Sequence, residues 1–313
     1  MPPQTVAIWS LGHAGFAFRW PGSGLVLLDP YLSDRIERLD PATEFRRRFP
    51  PVCLPDRLHA DLILITHRHD DHLDTLIPLT SGPNVPTTVV PEPCVREMQA
   101  LGFRQVRGGV SGQTFTHGPL TVTPVRGFHG DENGEPGPGL GYLMEARGLR
   151  ICHTGDTHVT PELVASVRAF RPHVLIAPSN GADYFRSVRG VVGNMSGREA
   201  VELARQVGAD LLLPTHYGLS ANNAENQAFL VDHLLTHHPQ QSFHLLRAGE
   251  RFLYAAPGTE AVTEIREQPQ PPRSTSFTRS SVSSFCAPSG PAPRRSVTTT
   301  PNRAPSCISI SPW

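Results

Sequence analysis

The sequence predicts one α/β domain of packed sheets covered by helices. Three observations carry this. Short apolar runs bounded by Gly and Pro crowd the first half of the chain. Leu62-Ile63-Leu64-Ile65 is apolar without a break, the pattern of a strand covered on both faces. Later, strand patterns alternate with helix patterns, which calls for helices laid over sheets.

In chain order, Val6–Leu11, Phe16–Arg19 and Leu25–Leu28 read as strands, with Pro21-Gly22-Ser23-Gly24 as a turn between the last two. Leu62–Ile65 follows, leading into a helix over Leu73–Leu79. Further strands are expected at Thr87–Val90, Leu120–Val125, Gly141–Glu145, Arg150–His153, His173–Ala177, Leu211–Pro214 and Phe243–Leu246. Thr160-Pro161-Glu162 supplies an N-cap, a first-turn proline and an acidic first turn. Leu163, Val164, Val167 and Phe170 then share one helix face. Ser196-Gly197-Arg198-Glu199 fits a capping box, and Gly208 stops that helix. Asn222 with Glu225 marks a third helix start, running towards His238. Arg251–Tyr254 is expected to close the domain as a hairpin with Phe243–Leu246 around Ala248-Gly249-Glu250. The folded domain is therefore placed at residues 1–256.

Residues 257–313 have another character. Beyond Glu267 there is no Asp, Glu or His, and Ser, Thr, Pro and Arg dominate. Such a segment cannot bury enough apolar surface to offset its ordering entropy, so it is expected to be a disordered tail.

The 313 residues carry 28 basic and 28 acidic side chains, a formal net charge of +0, and all the basic ones are Arg. That balance, with 7% aromatic residues, argues against a nucleic-acid or anionic-membrane partner. No run of eighteen apolar residues suggests a membrane span. The start, Met1-Pro2-Pro3-Gln4-Thr5, lacks the basic and apolar regions of a secretory signal. The five Cys are scattered without metal-type spacing, as in a reducing compartment. A cytoplasmic protein acting on a small molecule, either alone or as a homo-oligomer, is the expectation.

Histidine is over-represented, at 15 residues. Thr66-His67-Arg68-His69-Asp70-Asp71-His72 follows the buried strand directly. In extended chain, i and i+2 point the same way, so His67 and His69 can grip one ion. Asp71 and His72 stand where the chain turns, ready for a second. Imidazole and carboxylate suit zinc, manganese or iron(II). Three later segments also place a ligand type just after a strand: His129 in Val125–Gly130, Asp156 in Cys152–Thr157 and His216 in Leu213–Gly218. His233 and His237 lie four apart on a helix, but Leu234 stands where a zincin motif needs Glu, so they read as ordinary helix surface.

The order His-x-His-x-Asp-His, His, Thr-Gly-Asp, Pro-Thr-His-Tyr resembles the metallo-β-lactamase superfamily. Leu11-Gly12-His13-Ala14-Gly15, Leu28-Asp29-Pro30-Tyr31-Leu32, Gly155-Asp156-Thr157-His158 and Gly193-Asn194-Met195 resemble its branch of ascorbate-6-phosphate lactonases. Acylethanolamine-type phospholipases D share much of the pattern, and Arg46-Arg47-Arg48-Phe49-Pro50-Pro51 would suit them. The resemblance covers residues 5–255. It implies an αββα sandwich with two divalent ions, Zn or Mn with Fe as a third choice, at one edge of the sheets. One ion would be held by His67, His69 and His129, the other by Asp71, His72 and His216, with Asp156 bridging.

Two such ions can share a hydroxide that attacks a lactone carbonyl or a phosphorus centre, so no Ser or Cys nucleophile is required. Asp71 is either the residue that orients the hydroxide and relays its proton or a plain ligand. The expected substrate contacts are His13, Asn180, Arg186, Arg189, Asn194 and Tyr217. Arg186 and Arg189 lie in a long connection and could pair with a phosphate. A lactonase for a small phosphorylated sugar acid leads. A phosphodiesterase of the phospholipase D type follows, and a non-catalytic metal or redox protein comes third.

Overall fold

The computed structural model describes residues 4–41, 46–74, 84–130, 137–182, 192–221 and 226–256. All of them belong to one compact unit. The tail assigned to residues 257–313 lies outside the described residues, as do Arg186, Arg189, Asn222, Glu225 and all of the expected helix 73–79 except Leu73 and Asp74.

Two seven-stranded sheets form the centre. The first runs β14(Arg251–Ala255), β1(Thr5–Gly12), β2(Gly15–Arg19), β3(Val26–Leu28), β4(Leu62–Leu64), β5(Thr87–Pro91), β6(Val106–Gly109). The second runs β13(Ser242–Phe243), β12(Leu211–Thr215), β11(Val174–Pro178), β10(Leu149–His153), β9(Gly139–Ala146), β8(Leu120–Gly127), β7(Phe115–His117). The first sheet is antiparallel from β14 through β1 and β2 to β3 and parallel from β3 to β6; the second is antiparallel from β7 to β10 and parallel from β10 to β13.

Alternation along the strands sorts the core. Ile8, Phe16, Phe18, Leu62 and Leu64 meet Val122, Tyr142, Met144, Ile151, Ile176 and Leu213 between the sheets. The odd-face residues Ala7, Trp9, Leu11, Ile63 and Ile65 pack outward against Leu32, Leu58 and Met98 of the short helix α2(Val95–Ala100), which follows α1(Arg35–Leu39) in the chain. The outer face of the second sheet buries Leu175, Ala177 and Leu212 under α3(Pro161–Phe170), α4(Gly197–Val207) and α5(Ala228–His237). The layers are αββα, and the unbroken run at Leu62–Ile65 is apolar because both its faces are covered.

Two of the three expected helix starts hold, whereas α5 begins only at Ala228, with Gln227 at its N-cap and no side-chain cap bond. Thr160 accepts from the Leu163 N–H, Ser196 and Glu199 form the reciprocal capping box, and Gly208 closes α4 in the left-handed region (φ 69°). The closing hairpin does not exist. β13 pairs with β12 in the second sheet, while β14 crosses to pair with β1 in the first. His244–Glu250 bridges the two layers, so the two apolar runs that looked like hairpin partners serve different sheets. Among the described residues no helix is long and apolar enough to cross a membrane.

Candidate metal centre

The strands deliver the ligands at their carboxyl ends, on one edge of the sandwich, where open α/β sheets gather their ligands. After β4 the chain turns tightly, with the N–H groups of His72 and Leu73 both donating to the His69 carbonyl at 2.9 and 2.8 Å. This brings His67 Nε2 within 2.9 Å of His69 Nδ1. His129, just past β8, places its Nε2 3.2 Å from the same His69 atom. These three form one group able to hold an ion.

A second group joins Asp71, His72 and His216 with His13. His72 Nε2 and His216 Nε2 are 3.3 Å apart, and Asp71 Oδ2 lies 2.8 Å from His13 Nε2 and 3.8 Å from His216 Nε2. Asp156 stands between the groups. Its Oδ2 is 2.9 Å from His216 Nε2, 3.5 Å from His72 Nε2 and 3.8 Å from His129 Nε2.

These residues fit divalent ions. His69 Nδ1 faces two other ring nitrogens at once, and a neutral imidazole nitrogen can be only a donor or an acceptor. Hydrogen bonds alone cannot satisfy the three nitrogens, whereas a cation takes all three lone pairs. Burial lowers the His67 and His69 pKa values and takes His129 to about 4, so these rings are neutral ligands at pH 7. In the ion-free protein burial opposes a charge on His72, but Asp156, Asp29 and Asp71 outweigh it and hold its pKa well above the usual value. That proton occupies the place of a cation. Asp71 and Asp156 are kept ionised against the burial penalty, chiefly by His72 and by His216 respectively. The donor set is all nitrogen and oxygen. Cys152 is fully buried in the packing under the helices, and burial pushes its thiol pKa up.

The residue missing from the sequence reading of the site is Asp29. Fully buried at the end of β3, it accepts from the Thr66 N–H (2.8 Å) and Thr66 hydroxyl (2.6 Å) and from His72 Nδ1 (2.8 Å). Because the Thr66 hydroxyl donates to Asp29, it accepts from His67 Nδ1 at 2.9 Å. One carboxylate thus fixes the tautomer of a ligand in each group and turns both Nε2 atoms inward. An isolated Asp straight after an apolar strand was the available signal.

His13, Asp29 and His216 all have positive φ (56°, 43° and 63°), an uncommon conformation for non-glycine residues. It is retained because their side chains and carbonyls are tied on both sides. The His13 carbonyl, for instance, accepts from the Thr215 hydroxyl (2.7 Å) and the His216 N–H (3.1 Å).

The expected substrate contacts separate. His13 touches the centre through Asp71. Asn194 is buried and donates to Asp156 Oδ2 (2.9 Å) and to Asn180 Oδ1 (3.0 Å), so this pair holds the carboxylate that stands between the two groups. The Tyr217 hydroxyl donates to the Leu246 carbonyl at 2.8 Å, holding the His216 turn against the chain before β14. Arg47, in the triple-arginine segment, has a buried side chain that donates to the Ser33 carbonyl and lies over the Tyr31 ring. His153 faces Phe16 and accepts from the Gly155 N–H, away from the ligands. His67, Arg68, His69, His129, Gly130 and Gly137–Gly139 line an opening onto the first group.

A family model described as β-lactamase superfamily domain matches residues 25–217. A UPF0173 metal-dependent hydrolase of Archaeoglobus fulgidus is 30% identical over 217 residues, 66% of this chain and 81% of the relative. Among solved structures, a metallo hydrolase of Ignicoccus hospitalis superposes with TM-score 0.65 at 17% identity, over 80% of this chain and 99% of the other. A metallo-β-lactamase fold protein of Bacillus subtilis does so with TM-score 0.57 at 18% identity, over 80% and 100%.

Proposed function

The chain belongs to the β-lactamase superfamily, among its UPF0173 metal-dependent hydrolases, and on that premise we propose that it opens the lactone of a small phosphorylated sugar acid with two divalent ions. The two-ion part of this reading is supported by the convergence of two ligand groups on Asp156 Oδ2, 2.9 Å from a ligand of one group and 3.8 Å from a ligand of the other; the substrate class rests on the sequence motifs that resemble the lactonase branch. When bound, such ions lower the pKa of water towards about 7 and polarise a carbonyl. Zinc, manganese and iron all suit an all-nitrogen and oxygen set.

The chain's own residues do the rest. His13 Nε2 holds Asp71 Oδ2, which fixes the carboxylate so that it can orient the attacking water and take up its proton. Asn194 and Asn180 keep Asp156 in place from behind. Small residues at the rim, Gly130, Gly137, Pro138 and Gly139, leave room for a compact substrate beside the first group. Arg68 on the same rim offers a partner to an anionic substituent, and the sequence offers Arg186 and Arg189 as further candidates.

The test is a hydrolysis panel on metal-loaded protein: phosphorylated and plain lactones, phosphodiesters and thioesters. The phosphorylated lactone should turn over fastest. Arg186→Ala or Arg189→Ala should raise its KM about tenfold or more, the worth of one charged hydrogen bond, and leave the plain lactone nearly unchanged. A long-chain phosphodiester turning over fastest would replace this reading with the phospholipase D type. Asp156→Ala retaining both ions and full turnover would refute the bridging role.

A further inference from the structure

On the far side of the helical layer, three side chains from two helices meet. Glu202 lies on α4, His233 on α5, and His238 is the residue that caps the carboxyl end of α5. Glu202 Oε1 is 3.0 Å from His233 Nε2 and 2.6 Å from His238 Nε2. One ligand atom from each lies within 4.8 Å of the others. From these contacts we infer that Glu202, His233 and His238 form a separate zinc-type cation site that clamps the end of α5 onto α4.

The chemistry is that of a borderline divalent ion. Two imidazoles and a carboxylate are zinc ligands, whereas calcium and magnesium prefer oxygen alone. Zinc binds nitrogen and oxygen at about 2.0–2.2 Å. Tetrahedral zinc ligands stand about 3.3–3.4 Å apart, so the His233 pair must open by about 0.3 Å and the His238 pair by about 0.7 Å to admit it. Without an ion, both rings must hold their proton on Nε2 and share one carboxylate oxygen; an ion replaces both protons and uses the same three atoms. The second oxygen, Oε2, faces Arg205 Nε at 3.6 Å, which steadies the carboxylate without occupying Oε1.

Entry is open. The side chains of His233 and His238 are 18% exposed and that of Glu202 36%, so an ion arrives from solvent and keeps water as its remaining ligand. The mechanical effect follows from the placement. Leu230 and Leu234 anchor α5 in the core, and its carboxyl end is held by the His238 N–H to the Leu234 carbonyl and by the two imidazole contacts to Glu202. The sequence reading treated His233 and His237 as ordinary surface because they lack a Glu on their own helix. The Glu comes from the neighbouring helix, and the second His is His238.

The test uses the full chain, dialysed against buffered zinc, with bound metal counted per chain. Wild type should hold one more zinc than Glu202→Gln and one more than His238→Asn, the latter chosen because Asn suits a helix end. Zinc added beyond the level that saturates turnover should raise the wild-type melting temperature, by mass action on the folded state, and should leave both variants unmoved. Turnover at saturating metal should be equal in all three. In chelator each variant should still melt cooperatively, at most a few degrees below wild type for the lost bonds to Glu202 Oε1, which checks that the variants fold. Equal zinc content in wild type and both variants, or an equal zinc-dependent rise in melting temperature, overturns the site.

Discussion

Replacing Asp29 with Asn tests whether one buried carboxylate governs both ligand groups. The change is nearly isosteric, and Asn tolerates the φ of 43° at this position, so the backbone has no reason to move. The hydrogen-bond account does change. Oδ2 accepts from the Thr66 hydroxyl and from His72 Nδ1, while Oδ1 accepts from the Thr66 N–H. An amide keeps one of these acceptors and turns an NH2 group towards the other, leaving a donor facing a donor. If the pair at Oδ2 is lost, His72 is free to carry its proton on Nε2, the atom that should face an ion. If the Thr66 N–H is lost, the end of β4 loosens beneath His67. Each lost charge-assisted bond is worth about 1.5–3 kcal/mol. The equivalent change around other metal sites weakens the metal by about 10–100-fold, which is about 1.4–2.8 kcal/mol. The two routes agree. Zinc affinity measured by chelator competition should therefore fall by one to two orders of magnitude, with the circular dichroism of the ion-free protein preserved. A folded Asp29→Asn protein that binds zinc within threefold of wild type would show that Asp29 does not govern the two ligand groups.

Three further outcomes are expected. Gly155→Ala places a Cβ at φ +66°, where it runs into the Leu140 carbonyl oxygen; it should cost more than about 2 kcal/mol and displace Asp156, read as a lower melting temperature together with lost metal. His153, fully buried with its pKa lowered to about 4, chiefly by burial, is neutral when folded and protonates more readily when unfolded. Its contribution is present above pH 6.5 and is lost as pH falls towards 4, so the stability gap between wild type and His153→Leu should shrink by about 2–3 kcal/mol between pH 7 and pH 4.5 in urea melts; a pH-independent gap would contradict it. A chain ending near Arg266 retains β14 and the Ala256 N–H to Gln4 carbonyl bond; it should melt within about 1 kcal/mol of the full chain and keep its metal content.

Much of the fold was legible where local pattern and tertiary role agree. Leu62–Ile65 is buried on both faces, and the Thr160, Ser196 and Gly208 caps are local hydrogen-bond devices that need no partner elsewhere. β6 and β7 were not seen because they are short end strands of their sheets, with Gly108-Gly109 in one and only three residues in the other. The closing hairpin failed because periodicity cannot tell which sheet a strand joins. Among site residues, the ligand types followed from the strand ends. The roles of Asn180, Asn194 and Tyr217 did not, since hydrogen bonds across 14 to 38 positions decide them.

The position of the centre has a consequence for stability. His67, His69, Asp71, His72 and His13 leave strands of the first sheet, whereas His129, Asp156 and His216 leave strands of the second. The two layers are otherwise joined at this edge by a few polar ties. The Tyr142 hydroxyl donates to the Ile65 carbonyl (2.7 Å), the Leu140 N–H to the Thr66 carbonyl (2.9 Å), and the Thr215 hydroxyl to the His13 carbonyl (2.7 Å). Ion-free, the edge gathers several buried rings and carboxylates whose charges are balanced only by sharing protons. Ions held by groups from both sheets would relieve that crowding only with the sheets docked, so their binding free energy would also be docking free energy. The strained turns at His13, Asp29 and His216 sit on this same seam. The apolar interior between the sheets thus sustains a costly gathering of buried rings and carboxylates, and removing bound metal is expected to lower the melting temperature of the whole domain.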